Sequence, residues 1–162
     1  LMDDRGASTL FTGLTLSLYG VPFILLAPFG GKLADRHGPL RTLPLAILGV
    51  IGVTVLYGAL ETPGVLMSFA MVEATFNAVA LPATQAAMAR ATEEHERALG
   101  FGVAAAAGQV SAGIAALIAA PVYAAQGQFF VFTLLAAAVA VVAAGGYVLL
   151  RTASTTTTIR AD

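Results

Sequence analysis

In "GGKLADRHGPLR", residues 30–41, five titratable or charged side chains (Lys32, Asp35, Arg36, His37 and Arg41) stand between two long apolar runs. Immediately before them the chain reads LYGVPFILLAPF (18–29), and after them TLPLAILGVIGV (42–53). Charge this concentrated needs water, and apolar runs this long need to escape it. A turn at a membrane surface, with a helix entering lipid on either side, satisfies both.

Composition supports that reading. Of 162 residues, 58% are hydrophobic and only 10% charged, against about 45–50% apolar and roughly 25% charged in soluble domains. So few charges cannot cover a water-facing surface, so the expected solvent is lipid. A net charge of −1 supplies no basic field for nucleic acid, and the absence of cysteine rules out disulfides and thiolate metal sites.

Working outward from residues 30–41, apolar runs fall at about 10–30, 42–60, 64–89, 99–125 and 129–150. A helix needs roughly 20 residues to cross about 30 Å of hydrocarbon, and none of the runs shows the polar face of a soluble amphipathic helix. Polar breaks at 31–41, Glu61–Pro63, 90–98 and Gln126–Gln128 separate them, with Pro63, Gly64 and Gly127 as punctuation. The expected fold is an all-α membrane protein: five transmembrane helices over 10–150, a short extracytoplasmic segment at 1–9 and a polar, Thr-rich cytoplasmic tail at 151–162. Residues 1–9 (LMDDRGAST) lack the basic start and apolar core of a signal peptide, and the tail reads as solvated and unpacked.

With five spans the connections alternate sides. Lys32, Arg36, Arg41, Arg90, Arg97, Arg151 and Arg160 then share one side, and Arg5 alone is on the other, a split of seven to one. The basic side is expected to be cytoplasmic.

Topology alone asks only for positive charge in the 30–41 turn, not for a fixed pattern. Yet the pattern is Gly31-x-x-x-Asp35-Arg36-x-Gly38, followed by Arg41. It resembles the signature loop of the major facilitator superfamily, G-x-x-x-D-R-x-G-R-R, which joins the second and third helices of that family and, in a weaker copy, the eighth and ninth. The resemblance implies a major-facilitator bundle in which this loop acts as a latch closing the cytoplasmic side, through contacts of Asp35 and Arg36 that break during transport. Gly31 would let two helices approach closely, Gly38 would permit the reversal, and Asp35 could accept hydrogen bonds from Arg36 or from a neighbouring helix N-terminus. The chain departs from the signature in having Pro39 and Leu40 where the family has two basic residues, with Arg41 displaced beyond them. The third span, GVLMSFAMVEATFNAVALPATQAAM, also lacks the arginine often found in the fourth helix of such transporters. Both departures, with the Thr-rich end, suit the C-terminal half, so the resemblance implies helices eight to twelve with the seventh helix and the N-terminal half missing.

That third span carries Glu73, a charged residue deep in a run, roughly 14 Å along the helix from Gly64 at 1.5 Å per residue. A charge there costs about 2.5–3.5 kcal/mol even on the lenient insertion scale. A carboxyl group in hydrocarbon escapes much of that cost in its protonated form, which makes Glu73 a candidate to take up and release a proton. Asn77, one turn along, shares its helix face. Glu73 and Asn77 could face a water-filled cavity and bind substrate or proton, or Glu73 could be a neutral acid hydrogen-bonded to another helix.

In the fourth span Ala104, Gly108, Ala112, Ala116 and Ala120 form a small-residue stripe expected to pack closely against a neighbour. Gln109 beside it is a further candidate cavity residue. Pro22, Pro28, Pro82 and Pro121 fall within or near spans as candidate kinks. Other motifs fail on context. Gly100-x-Gly102-x-x-Ala105 follows no strand, and Gly31-Lys32 lacks the rest of a phosphate loop. His37 and His95 have no companion ligands at metal spacing, and no nucleophile has a paired base. No enzyme activity, cofactor or metal is expected.

The function expected is part of a secondary active transporter moving a small solute by alternating access, with proton-coupled efflux as the subclass. Its partners would be the lipid bilayer, the solute, protons, and the missing N-terminal half or a partner subunit; nucleic acid is not among them. Its location would be a bacterial plasma (inner) membrane, multi-pass, with the C-terminus cytoplasmic. The rival reading is a non-transporting five-span scaffold or partner subunit, or an inactive truncated remnant.

Overall fold

The computed structural model describes Gly6 and residues 8–159, with backbone alone for Leu150 and residues 152–159. Five α-helices follow one another: α1 (Thr9–His37), α2 (Pro39–Tyr57), α3 (Pro63–Ala91), α4 (Arg97–Gln126) and α5 (Gln128–Ile159), with a 3₁₀ turn at Glu94–Glu96. All five are long and apolar enough to cross a membrane. Each expected run became one helix, because a backbone in lipid must satisfy its own hydrogen bonds.

The boundaries moved at the signature. Residues 31–37, expected in a turn, continue α1 to His37, and the reversal is made by Gly38 alone. Its φ of +81° with ψ of 145° belongs to a region that essentially only glycine enters. Pro39 then starts α2 at its first position, where a missing N–H costs nothing. The side chain of Thr42, buried under this turn, donates to the Gly38 carbonyl at 3.0 Å and lies 3.5 Å from the Leu33 carbonyl. Gly127 makes the equally short reversal between α4 and α5, with φ +80°. At the start of α1, Ser8 caps the Phe11 N–H at 3.2 Å. At the other end α5 runs through Arg151 to Ile159, so the stretch read as an unpacked tail begins as helix. Arg5 and Arg160, used above for orientation, lie outside the described residues.

The helix α3 is the centre of the bundle: it packs on both α1 and α2, while α5 packs on α2, and α4 touches α5 and α3 lightly. The interior is built from small residues. Among the described residues, seven of the ten buried apolar side chains are alanines (34, 46, 74, 78, 83, 87 and 136), four of them on α3. Leu10, Ile24 and Leu117 are each more than three-quarters exposed. That inversion suits lipid, where large apolar side chains gain nothing by hiding and helices associate through close packing.

The close approach assigned to Gly31 belongs to Gly30: a Cβ on Gly30 would lie 2.5 Å from the Ala78 carbonyl oxygen and 2.8 Å from the Val79 Cα, whereas one on Gly31 would meet nothing within 4 Å. The small-residue stripe of α4 is exposed along its length, and α4 buries none of its residues. The stripe that does pack is Ala74, Ala78, Ala83 and Ala87 on α3. Spacing tells which face could approach a neighbour; only a neighbour of matching shape makes it do so.

Candidate functional site

Hydroxyl groups in the spans mostly turn back onto their own helix. Thr15, Thr54, Thr75, Thr84 and Thr133 each donate to the carbonyl four residues before, at 2.8–3.0 Å. A different arrangement lies where α1, α2 and α3 meet. The Tyr57 hydroxyl of α2 donates to Glu73 Oε2 at 3.0 Å. Asn77 Nδ2 donates to Tyr19 Oη of α1 at 3.0 Å and lies 3.4 Å from Glu73 Oε1. All four side chains are half-buried.

The local reasons are simple. Glu73 and Asn77 are one helical turn apart and so share a face, and α3 lies between α1 and α2. Each tyrosine presents an apolar ring to the packed interior and a hydroxyl to the polar pair. Tyr57 is further held from behind. Its ring lies against Phe132 of α5, with centroids 5.5 Å apart and planes tilted by 37°. Its carbonyl, which the Leu60 N–H reaches only at 3.4 Å, also accepts from Gln128 Nε2, which donates as well to the Leu60 carbonyl at 3.1 Å. Gln128 therefore seats the first turn of α5 on the last turn of α2. Replacing it with leucine is expected to lower the stability of the micelle-solubilised protein by about 1–3 kcal/mol, because two carbonyls lose a donor. Thermal unfolding followed by circular dichroism measures this; an unchanged midpoint would remove Gln128 from the account.

Chemically, the cluster can accommodate Glu73 with or without a proton. As a carboxylate, Glu73 has a donor on each oxygen. Protonated at Oε1, it becomes a donor there, and a flip of the Asn77 amide that presents Oδ1 restores the hydrogen bond. Glu73 can thus change protonation without leaving a polar atom stranded. Among the described residues no buried side-chain nitrogen or oxygen lacks a partner.

The remaining predicted residues are elsewhere. Gln109 is exposed on α4 and, among the described residues, makes no hydrogen bond to the cluster. Gly31, Asp35 and Arg36 lie in the last two turns of α1, Gly38 in the reversal and Arg41 in the first turn of α2. Asp35, Arg36 and Arg41 are exposed, and among the described residues none of them forms an ion pair. Lys32 Nζ stands 5.9 Å from the centre of the Phe29 ring.

Sequence reasoning missed Tyr19, Tyr57, Gln128 and Thr42. The one available signal was chemical: a lone acid in lipid needs donors, and tyrosine is a donor that an apolar run tolerates. Which tyrosine reaches it depends on how α1 and α2 are rotated against α3, and no local pattern states that.

The Major Facilitator Superfamily model matches residues 1–161. No curated protein and no solved structure gives a significant match. With five helices able to cross a membrane, a signature at the end of α1 and a match along nearly the whole chain, this integral, multi-pass membrane protein belongs to the Major Facilitator Superfamily, a family of transporters.

Proposed function

We propose that the chain forms the C-terminal half, helices eight to twelve, of a secondary active transporter that exports a small solute in exchange for protons. The observation that carries this is the acid at membrane depth: Glu73 is held between donors from α2 and from its own helix, with Asn77 extending the network to α1. Ion and substrate sites of such carriers lie near the bilayer midplane. A group able to accept a proton there, in a network joining three helices, can tie protonation to their relative movement.

The packing supports an absent neighbour. If a half is two inverted triplets, α1 corresponds to α4 and α2 to α5. The helix preceding α1 would then be the counterpart of α3, and would lie on α4 and α5 as α3 lies on α1 and α2. The face of α4, which buries nothing in this chain, is where such a helix would go. The latch reading of Asp35 and Arg36 needs the other half as well, and their exposure at the end of α1 leaves them available to it. The seven-to-one bias in basic residues supports a cytoplasmic location for that end and for the C-terminus, in a bacterial plasma membrane.

The test is substrate-driven proton movement in vesicles holding the complete transporter, with and without Glu73→Gln. Loss of proton coupling supports the reading, and proton movement unchanged from the unaltered protein overturns it.

A further inference from the structure

Two grooves flank the last turns of α1, and every ionisable side chain that lines them is basic. The larger, of about 510 Å³, has α1 and α2 as walls and α3 as floor. Leu33, Leu45, Phe76 and Val79 make it apolar, and His37 and Arg41 stand at its surface end. The smaller, about 380 Å³, shares Leu33, His37 and Val79 and adds Lys32 and Arg36. Asp35, the acid of this segment, lines neither.

We infer that the larger groove binds an anionic phospholipid, with an acyl chain along Leu33, Leu45, Phe76 and Val79 and the phosphate on Arg41. An apolar groove open to hydrocarbon is filled by a lipid tail whatever the headgroup, so selection falls to the charged end. There, Thr42 Oγ1 is engaged with the Gly38 carbonyl at 3.0 Å and His37 Nδ1 lies 3.4 Å from the Leu33 carbonyl oxygen. The exposed Arg41 guanidinium, which has no carboxylate partner among the described residues, is the group left to receive a phosphate. Its planar fork matches phosphate oxygens two at a time. Lys32 and Arg36 on the adjacent groove raise the positive potential around it.

The groove also has the depth a tail requires. Arg41 lies three residues past the reversal, whereas the Phe76 ring lies against Gly49, 11 residues past it, about 16 Å along the helix axis. The groove therefore runs from the membrane surface toward its middle. The inference goes beyond transport and rests only on the orientation proposed above, which brings the site to the anion-rich cytoplasmic leaflet.

The full chain, delipidated in a neutral detergent and offered phosphatidylglycerol or phosphatidylcholine, is the material for the test, with bound lipid counted by native mass spectrometry. Phosphatidylglycerol is expected to be retained at least 10-fold better than phosphatidylcholine. Arg41→Gln should reduce that preference to less than 2-fold, and Arg97→Gln, which lines neither groove, should leave it intact. Leu45→Trp, which narrows an exposed part of the groove without touching charge, should lower retention of both lipids and serves if Arg41→Gln does not fold. Equal retention of the two lipids, preference unaffected by Arg41→Gln, or displacement of the lipid by millimolar inorganic phosphate would each overturn the inference. The last would show a free-anion site. Orientation is read separately, by labelling an Arg97→Cys variant of this cysteine-free chain with an impermeant thiol reagent in intact cells.

Discussion

Replacing Gly30 with alanine is expected to unseat α1 from α3, while Gly31→Ala, one residue on, leaves the bundle intact. A single methyl on Gly30 would stand 2.5 Å from the Ala78 carbonyl oxygen and 2.8 Å from the Val79 Cα, both backbone atoms of α3. Backbone cannot swing aside as a side chain can, so the helices must separate. Overpacking of this kind costs about 1–3 kcal/mol and sometimes more. Here the separation would also stretch the hydrogen bond from Asn77 to Tyr19, which joins the same two helices. Gly31 has open space around it, and alanine is favoured over glycine in a helix by about 0.8–1.0 kcal/mol, so Gly31→Ala should be neutral or slightly stabilising. Thermal unfolding in micelles compares the two. Equal midpoints for both variants would mean that α1 and α3 do not meet at Gly30.

Glu73→Gln is expected to abolish proton-coupled transport by the complete carrier while leaving the fold nearly unchanged. Glutamine has almost the same shape, and its amide can accept from Tyr57 at one atom and meet a flipped Asn77 at the other. The stability change should therefore stay within about 1.5 kcal/mol, the net value of an ordinary hydrogen bond. Function should respond differently, because an amide cannot take up a proton in this range of pH. Coupled accumulation of solute should fall at least about 100-fold, equivalent to about 2.7 kcal/mol, while downhill exchange of solute persists. Tyr57→Phe provides the graded comparison: it removes the donor on Glu73 Oε2 but keeps the carboxyl group, so coupling should survive with an altered pH dependence. Full coupling in Glu73→Gln would sink the proton role, and loss of fold in the same variant would make the cluster structural.

Much of this could be read from the chain as letters. The five apolar runs became five helices, and the lone acid in the third run lies at the meeting point of three of them. Asn77 was found because four residues along a helix return to the same face. The readings that failed are of another kind. Gly31 and Gly30 are adjacent and chemically identical, and only the register of α1 on α3 distinguishes them. The α4 stripe has better spacing than the α3 alanines, yet it packs on nothing in this chain, because a stripe describes one surface and packing requires two. Gln109 lies on that same unpacked helix: polarity in an apolar run marks a candidate, and within this chain α4 does not bring it to the cluster.

Span number, the basic-side bias, the signature and the depth of Glu73 are properties of position along one chain, and the amino-acid sequence by itself determined them. A bilayer of fixed thickness tests each run for length and polarity separately, so no knowledge of a neighbour is required. The tertiary structure alone decided that Tyr57 and Tyr19 serve the acid and its amide, that Gln128 holds Tyr57, and that Gly30 is the point of contact. Lipid is as apolar as the helix surfaces, so hydrophobicity does not choose which faces meet; steric fit between distant segments does.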